Sequence, residues 1–199
     1  MAKKYSIWIR IFMKLFKKWI SVIVEDYELE ITKLKKIVAH DTLTGALSRT
    51  EFNERIKHIL SLLKRNGANH YFSIAYVDIN NFKNINDEYG HEAGDNILIY
   101  FVQFLETHLR ESDFVARFGG DEFVLFLGES DIESGEKVLK KLEFAFSNCK
   151  LPIGNKEINA SFSYGVASTS EGIDNMAELL MKADRKMYEQ KKRKKIFNT

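Results

Sequence analysis

Cysteine is almost absent: Cys149 stands alone in 199 residues. A single thiol excludes an internal disulfide framework and points to a reducing, intracellular compartment; at the end of a helical pattern, Cys149 reads as a small core residue. Long apolar runs are missing as well. Residues 1–20, MAKKYSIWIRIFMKLFKKWI, fall short of the roughly 20 uninterrupted apolar residues of a membrane span, and Arg10 and Lys14 break any secretion-signal core. Internal repeats and low-complexity tracts are also lacking. What remains is a composition that is 45% hydrophobic and 13% aromatic, ample for a real core in a chain of one to one and a half domains.

Charge is distributed unevenly. The first twenty residues hold six basic side chains (Lys3, Lys4, Arg10, Lys14, Lys17, Lys18) and no acid, so the overall +2 becomes −4 once those six are set aside. At helical spacing Trp8, Phe12, Leu15, Phe16, Trp19 and Ile23 share one face, while Arg10, Lys14 and Lys17 lie opposite. Such a basic amphipathic helix either lies on an anionic membrane surface with its aromatics among the headgroups, or docks on protein, including a second copy of itself. Residues 25–40, EDYELEITKLKKIVAH, continue a mixed-charge helical pattern. Residues 1–40 are therefore expected to be a helical lead-in and residues 41–199 a compact domain.

Within that domain the pattern predicts a turn at DTLTG, a helix from about Ala46 to Lys64, and a central strand over 71–79, YFSIAYVDI, apolar on both faces until Asp78. A short helix over Asn81–Tyr89 ends at Gly90, and a long one follows over Ala93–Arg110. FVARF and EFVLFL then form a hairpin around Gly119-Gly120, expected as a two-residue turn with positive φ at both positions. A helix over Ile132–Phe146, a strand over Ile158–Ser168 and a helix from Met176 to about Lys192 complete the chain. This order predicts an α+β fold of ferredoxin-like kind: a mainly antiparallel central sheet flanked by helices and preceded by an N-terminal helix.

Asp121 and Glu122 at the hairpin tip have an ordinary reading, since polar residues flank turns. Asp78, a carboxylate ending a central strand, changes the balance. If the hairpin packs beside that strand, Asp78 faces Asp121, and two such carboxylates in a partly dry site call for a cation between them. Mg²⁺ suits a few carboxylate oxygens completed by water and phosphate, and paired strand-end acids holding metal are how polymerase-like sites activate a hydroxyl.

Over residues 38–195 the chain resembles the GGDEF-domain diguanylate cyclases, a nucleotidyl cyclase and polymerase-palm-like fold. The resemblance is carried by DTLTGALSR (41–49), with Ser48 where Asn is usual, by VDINNFKNINDEYGHEAGD (77–95), with Asn80 where a second Asp is usual, and by RFGGDEF (117–123). It implies a homodimer that condenses two GTP into cyclic di-GMP and two pyrophosphates, with no nucleic-acid partner. By similarity Asp78, the Ile79 carbonyl and Asp121 hold Mg²⁺ or Mn²⁺, and Asp121 and Glu122 deprotonate or orient the 3′-hydroxyl. Asn86 and Asp95 fall on the family's guanine contacts, where a carboxylate matches guanine N1–H and N2 but not adenine. Their plainer readings are a helix cap and a first-turn acid.

Main-chain N–H groups of Asn81, Phe82 and Lys83 at a helix N-terminus would take the triphosphate, with Gly119 and Gly120 leaving room for nucleotide. The family's Lys and Arg near the domain end correspond to Lys191 and Lys195, Lys194 standing where Gly is usual. Lysine neutralises phosphate without the bidentate grip of arginine. Arg110 and Asp113 sit at the spacing of the family's inhibitory R-x-x-D site, which binds the product; the alternative there is a helix-end Arg with a nearby Asp. The implied setting is the cytoplasm, with peripheral contact at the inner membrane face through residues 1–24. Other readings are a GGDEF domain without turnover that binds cyclic di-GMP or GTP as an effector, and a membrane-associated scaffold. Deleting residues 1–24 is expected to abolish salt-sensitive binding to anionic liposomes; a truncated chain that still binds would refute the membrane reading.

Overall fold

The computed structural model describes residues 12–27, 31, 39–66, 70–154 and 156–197. Contacts divide the chain into two units, Met1–Ala39 and His40–Thr199. In the first, residues 12–27 form helix α1. Phe12 stacks on Phe16 at 6.0 Å and Phe16 on Trp19 at 6.1 Å, the i, i+4 and i, i+3 spacings of one helix face, and all three rings are exposed. Trp8 and Arg10 lie outside the described residues.

The second unit runs β1 (Leu47–Ser48), α2 (Arg49–Asn66), β2 (Ser73–Ile79), α3 (Phe82–Tyr89), α4 (His91–His108), β3 (Phe114–Gly119), β4 (Glu122–Leu127), α5 (Ile132–Ser147), β5 (Leu151–Ile153), β6 (Lys156–Ile158), β7 (Phe162–Ser168) and α6 (Met176–Phe197). The main sheet has the order β1-β3-β4-β2-β7. All its pairings are antiparallel except β1 with β3. The fold is thus the expected α+β sandwich with a mainly antiparallel sheet.

Strand β2 lies between β4 and β7, which explains its lack of a polar face. Strand alternation sends Ala75, Val77 and Ile79 into a core completed by Ile97, Phe101, Leu142 and Phe146 of α4 and α5. The alternate residues, Ile74 and Tyr76, join Phe52 and Ile56 of α2 and Leu179 and Ala183 of α6 on the other face. By the same parity Asp78 belongs to the α2/α6 face. The chain therefore meets its charged strand-end residue on the side where α6 packs.

Helix α6 is seated very closely. A Cβ added to Gly165 of β7 would lie 2.1 Å from the Ala183 carbonyl oxygen and 2.3 Å from the Met187 nitrogen, so only glycine admits this approach. Further along, α6 covers the open edge of β7 with side chains. Gln190 Oε1 accepts from the Tyr164 N–H at 2.8 Å, and Lys194 Nζ donates to the Phe162 carbonyl and to Glu143, both at 2.8 Å. Met187, Gln190, Lys191 and Lys194 recur at i, i+3, i+4 and i+7, so one helix face both seals the edge and carries Lys191.

Four local expectations are corrected. Leu47 and Ser48 pair with β3, so α2 starts at Arg49, where the Ser48 hydroxyl accepts from the Glu51 N–H at 3.2 Å. Ile158 belongs to a separate two-stranded sheet of β5 and β6, and β7 begins at Phe162. Helix α6 continues to Phe197, because Lys194 is a good helix former tied to α5 where a glycine would favour a stop. In the hairpin a bulge between Arg117 and Gly119 displaces the turn by one residue: Gly120 and Asp121 connect the strands, and Gly120 (φ 50°) takes the left-handed position.

Candidate active site

Displacement of the turn puts Asp121 at its tip, where its carbonyl accepts from the Ile79 N–H at 3.3 Å. The antiparallel register sets Asp78 directly opposite Glu122. The carboxylates of Asp78, Asp121 and Glu122 thus gather where β2 and β4 end. Lys191 answers them from α6, its Nζ 2.5 Å from Asp78 Oδ1, with the Asp78 side chain 9% exposed. Burial pushes the Asp78 carboxyl above the usual carboxylate range; Lys191 opposes that rise, and the charges of Asp121 and Glu122 add to it. Tyr76, on the same face of β2, donates its hydroxyl to Glu122 Oε2 at 3.0 Å. Burial, then the charge of Glu122, pushes the Tyr76 hydroxyl well above its ordinary range.

The hairpin tip is held from behind by Arg117. Its Nε and Nη2 donate to the Gly120 carbonyl at 3.0 and 2.8 Å, and its Nη1 reaches Asp41 Oδ1 at 3.0 Å. Asp41 also accepts from the Thr44 N–H at 2.9 Å and the Thr44 hydroxyl at 2.7 Å. Burial works against its charge, but the Thr44 and Arg117 hydrogen bonds hold the Asp41 carboxyl below the usual range. DTLTG thereby forms a turn whose carboxylate fixes the guanidinium that fixes the tip. Added Cβ atoms on Gly119 and Gly120 would meet nothing within 4 Å, so the space beside the tip is open.

Beyond β2, Asn80 is bound on both sides of its amide: Nδ2 donates to Ser161 Oγ at 2.8 Å and Oδ1 accepts from Ser163 Oγ at 2.7 Å. Asn81 then turns into the left-handed region (φ 57°), which a non-glycine residue rarely adopts, and α3 starts at once. Its first N–H groups, around Phe82 and Lys83, are the unpaired donors of any helix N-terminus. Asn86 lies against Gly94, whose added Cβ would fall 1.9 Å from Asn86 Oδ1, and Asp95 is the next residue, exposed on α4. The α3–α4 corner thus packs Asn86 against Gly94, the residue before Asp95.

Arg110 and Asp113 sit elsewhere, after α4, where they help line a surface cavity of about 350 Å³ with His40, Arg55 and Glu111. Asp113 does not pair with the Arg110 side chain; Oδ2 accepts from the Arg110 main-chain N–H at 3.2 Å and Oδ1 from the Gly128 N–H at 2.9 Å. The side chain of Lys195 lies outside the described residues. Cys149 is half-buried beside the core, its thiol donating to the Ala145 carbonyl at 3.3 Å.

Among the described residues no three His, Cys, Asp or Glu side chains form a metal-holding group. The side chains gathered at the tip offer carboxylate oxygens, a chemistry that suits a hard divalent cation keeping several waters. A cation placed there would oppose the rise that burial, and then the neighbouring acids, impose on the Asp78 pKa, as the Lys191 ammonium already does.

Residues 38–196 match the family described as diguanylate cyclase, GGDEF domain. The chain belongs to this family. Diguanylate cyclase DgcP of Pseudomonas aeruginosa is 34% identical over 152 residues, 76% of this chain and 22% of that protein. Diguanylate cyclase TpbB of the same species is 34% identical over 152 residues, 75% of this chain and 34% of that protein. The chain thus spans about a third or less of these curated relatives. The solved GGDEF domain of TpbB superposes with a TM-score of 0.71 at 30% identity, covering 77% of this chain and 89% of that one.

Three participants in this GGDEF site were not picked out from the sequence. Arg117 and Asp41 lie inside the quoted motifs, but their bridge joins positions far apart in the chain. Tyr76 had a readable signal, because it stands two residues before Asp78 on an alternating strand. The raised folded-state pKa of Asp78 means that its favourable contribution is the protonated form's, present below about pH 4 and lost as pH rises. Asp78→Asn is therefore expected to raise the melting temperature at pH 7, by roughly 2–4 °C per kcal/mol relieved, with the gain shrinking toward pH 4. An unchanged or lowered melting temperature at pH 7 would contradict this.

Proposed function

We propose that the chain is a diguanylate cyclase, joining two GTP into cyclic di-GMP with release of two pyrophosphates. The observation that carries this reading is the convergence of Asp78, Asp121 and Glu122 at the ends of β2 and β4, with Lys191 beside them. Asp78, the Ile79 carbonyl and Asp121 would hold Mg²⁺ or Mn²⁺. When bound, that ion supplies charge neutralisation at the phosphates and acidifies a coordinated hydroxyl.

The chain's own residues do the rest. Asp121 and Glu122 between them orient the 3′-hydroxyl, and one of the two takes its proton as it attacks the α-phosphorus of the other GTP. Main-chain N–H groups of Asn81, Phe82 and Lys83 receive the triphosphate at the positive end of α3, where Lys83 adds charge. Lys191 trades the Asp78 carboxylate for phosphate oxygens, and Lys195 extends that cationic side. Asn86 and Asp95, at the α3–α4 corner, read the guanine edge: adenine bound over them would leave hydrogen-bonding groups unmatched, at about 1–3 kcal/mol each. The open space at Gly119 and Gly120 admits the nucleotide. Each domain binds one GTP, so turnover requires two copies face to face.

Arg110 and Asp113 bind the cyclic di-GMP product as an inhibitor, in the cavity beside α4. The setting is cytoplasmic, with residues 1–24 making peripheral contact at the inner membrane face. A second reading, an effector that binds GTP or cyclic di-GMP without turnover, is favoured by Lys194 and Lys195 where the family has Gly and Arg. Incubation of the purified protein with GTP and Mg²⁺ over a range of protein concentrations separates the two. Cyclic di-GMP measured by chromatography is expected to form faster per molecule as concentration rises. It should be absent with ATP alone and fall at least about 100-fold in Asp121→Asn. No product from the unaltered protein at any concentration would sink the cyclase reading.

A further inference from the structure

Glu122 must be presented to the reacting hydroxyl in one geometry, yet a glutamate at a hairpin end has three side-chain torsions and nothing in the main chain to fix them. Tyr76 supplies the missing constraint. On antiparallel strands Tyr76 is paired with Val124, which makes Glu122 its diagonal neighbour on the same face, within reach of a long aromatic side chain. The hydroxyl meets Glu122 Oε2 at 3.0 Å. The ring that carries it is itself held: it packs edge-on against Phe118 at 5.9 Å and 79°, and Phe118 packs edge-on against Phe52 at 5.5 Å and 82°. The Arg49 guanidinium covers the Phe118 ring at 5.2 Å. Phe118 is also the bulge residue immediately before Gly119, so this aromatic chain couples the conformation of the hairpin tip to the position of the phenol.

We infer that Tyr76 is a positioning residue for Glu122, holding Oε2 so that Oε1 is kept for the 3′-hydroxyl. The inference rests on the cyclase reading above. Tyr76 acts on the attacking group and touches neither the guanine contacts nor the α3 N-terminus that takes the phosphates. Its loss is therefore felt in turnover, not in GTP binding, because small misplacements of a reacting group are costly while ground-state contacts stay intact.

The experiment is steady-state cyclase kinetics on the full chain with Tyr76→Phe, Glu122→Asp and the double variant, each with a thermal melt. Tyr76→Phe is expected to lower kcat about tenfold, leave KM for GTP within about twofold and melt within a few degrees of the unaltered protein. Added to Glu122→Asp, whose shorter carboxylate no longer meets the hydroxyl, it is expected to cost less than about twofold. An unchanged kcat, a raised KM at unchanged kcat, a loss that tracks unfolding, or the same tenfold cost in the Glu122→Asp background would each overturn the inference. An inactive unaltered protein overturns the cyclase reading and this inference with it. An active protein indifferent to Tyr76→Phe overturns this inference alone.

Discussion

The pairing of β2 with β4 forces Asp78 and Glu122 side by side at the end of the sheet, and the turn adds Asp121 to them. Ordinary packing would not bury Asp78 at that edge beside two further acids, because burial first, and then their charges, disfavour its ionised form. The rest of the domain is arranged around that cost. The Lys191 ammonium offsets part of it, and Lys191 is in reach only because α6 sits almost directly on β7 at Gly165. Gln190 and Lys194 extend the same helix face along the open strand edge, where they satisfy backbone groups that no neighbouring strand can. A cationic helix end is thereby fixed opposite an anionic strand end.

The hairpin is held with similar economy. Arg117 spans the Gly120 carbonyl and Asp41, so a turn near the start of the domain and the tip of a hairpin near its middle share one guanidinium. On the other face of the tip, the aromatic line from Phe52 through Phe118 to Tyr76 leads to Glu122. One device holds the main chain of the tip and the other an acidic side chain beside it. Such a site spends stability on geometry: the folded state tolerates a crowded Asp78 because the chemistry proposed for this edge requires oxygen donors there.

Much of this was legible in the sequence. The unbroken apolar run of β2 declares a central strand, Asp78 stands out because it ends that run, and the motif spacing singles out Asn86, Asp95 and Lys191. Asn86 packs against Gly94, next in the chain to Asp95, and Lys191 reaches Asp78. The turn was misplaced by one residue because a bulge has no strong sequence signature when Phe118 looks like any strand residue. Leu47-Ser48 and the β5–β6 hairpin were missed because two- and three-residue strands exist by virtue of their partners, not their own propensity. The length of α6 depended on a tertiary contact, Lys194 to Glu143, which no local pattern announces. The pairing of Asp113 with main-chain groups and the bridge from Arg117 to Asp41 are of the same long-range kind.

The central claim is that Asp78, Asp121 and Lys191 form one electrostatic unit that exchanges its internal ion pair for a metal and a nucleotide triphosphate. A crystal structure of the protein with Mg²⁺ and a non-hydrolysable GTP analogue tests it most directly. The account predicts the ion between Asp78 and Asp121, the phosphates at the start of α3, and Lys191 drawn off Asp78 onto a phosphate oxygen. A nucleotide bound elsewhere, or Lys191 still paired with Asp78 beneath a bound triphosphate, would contradict it.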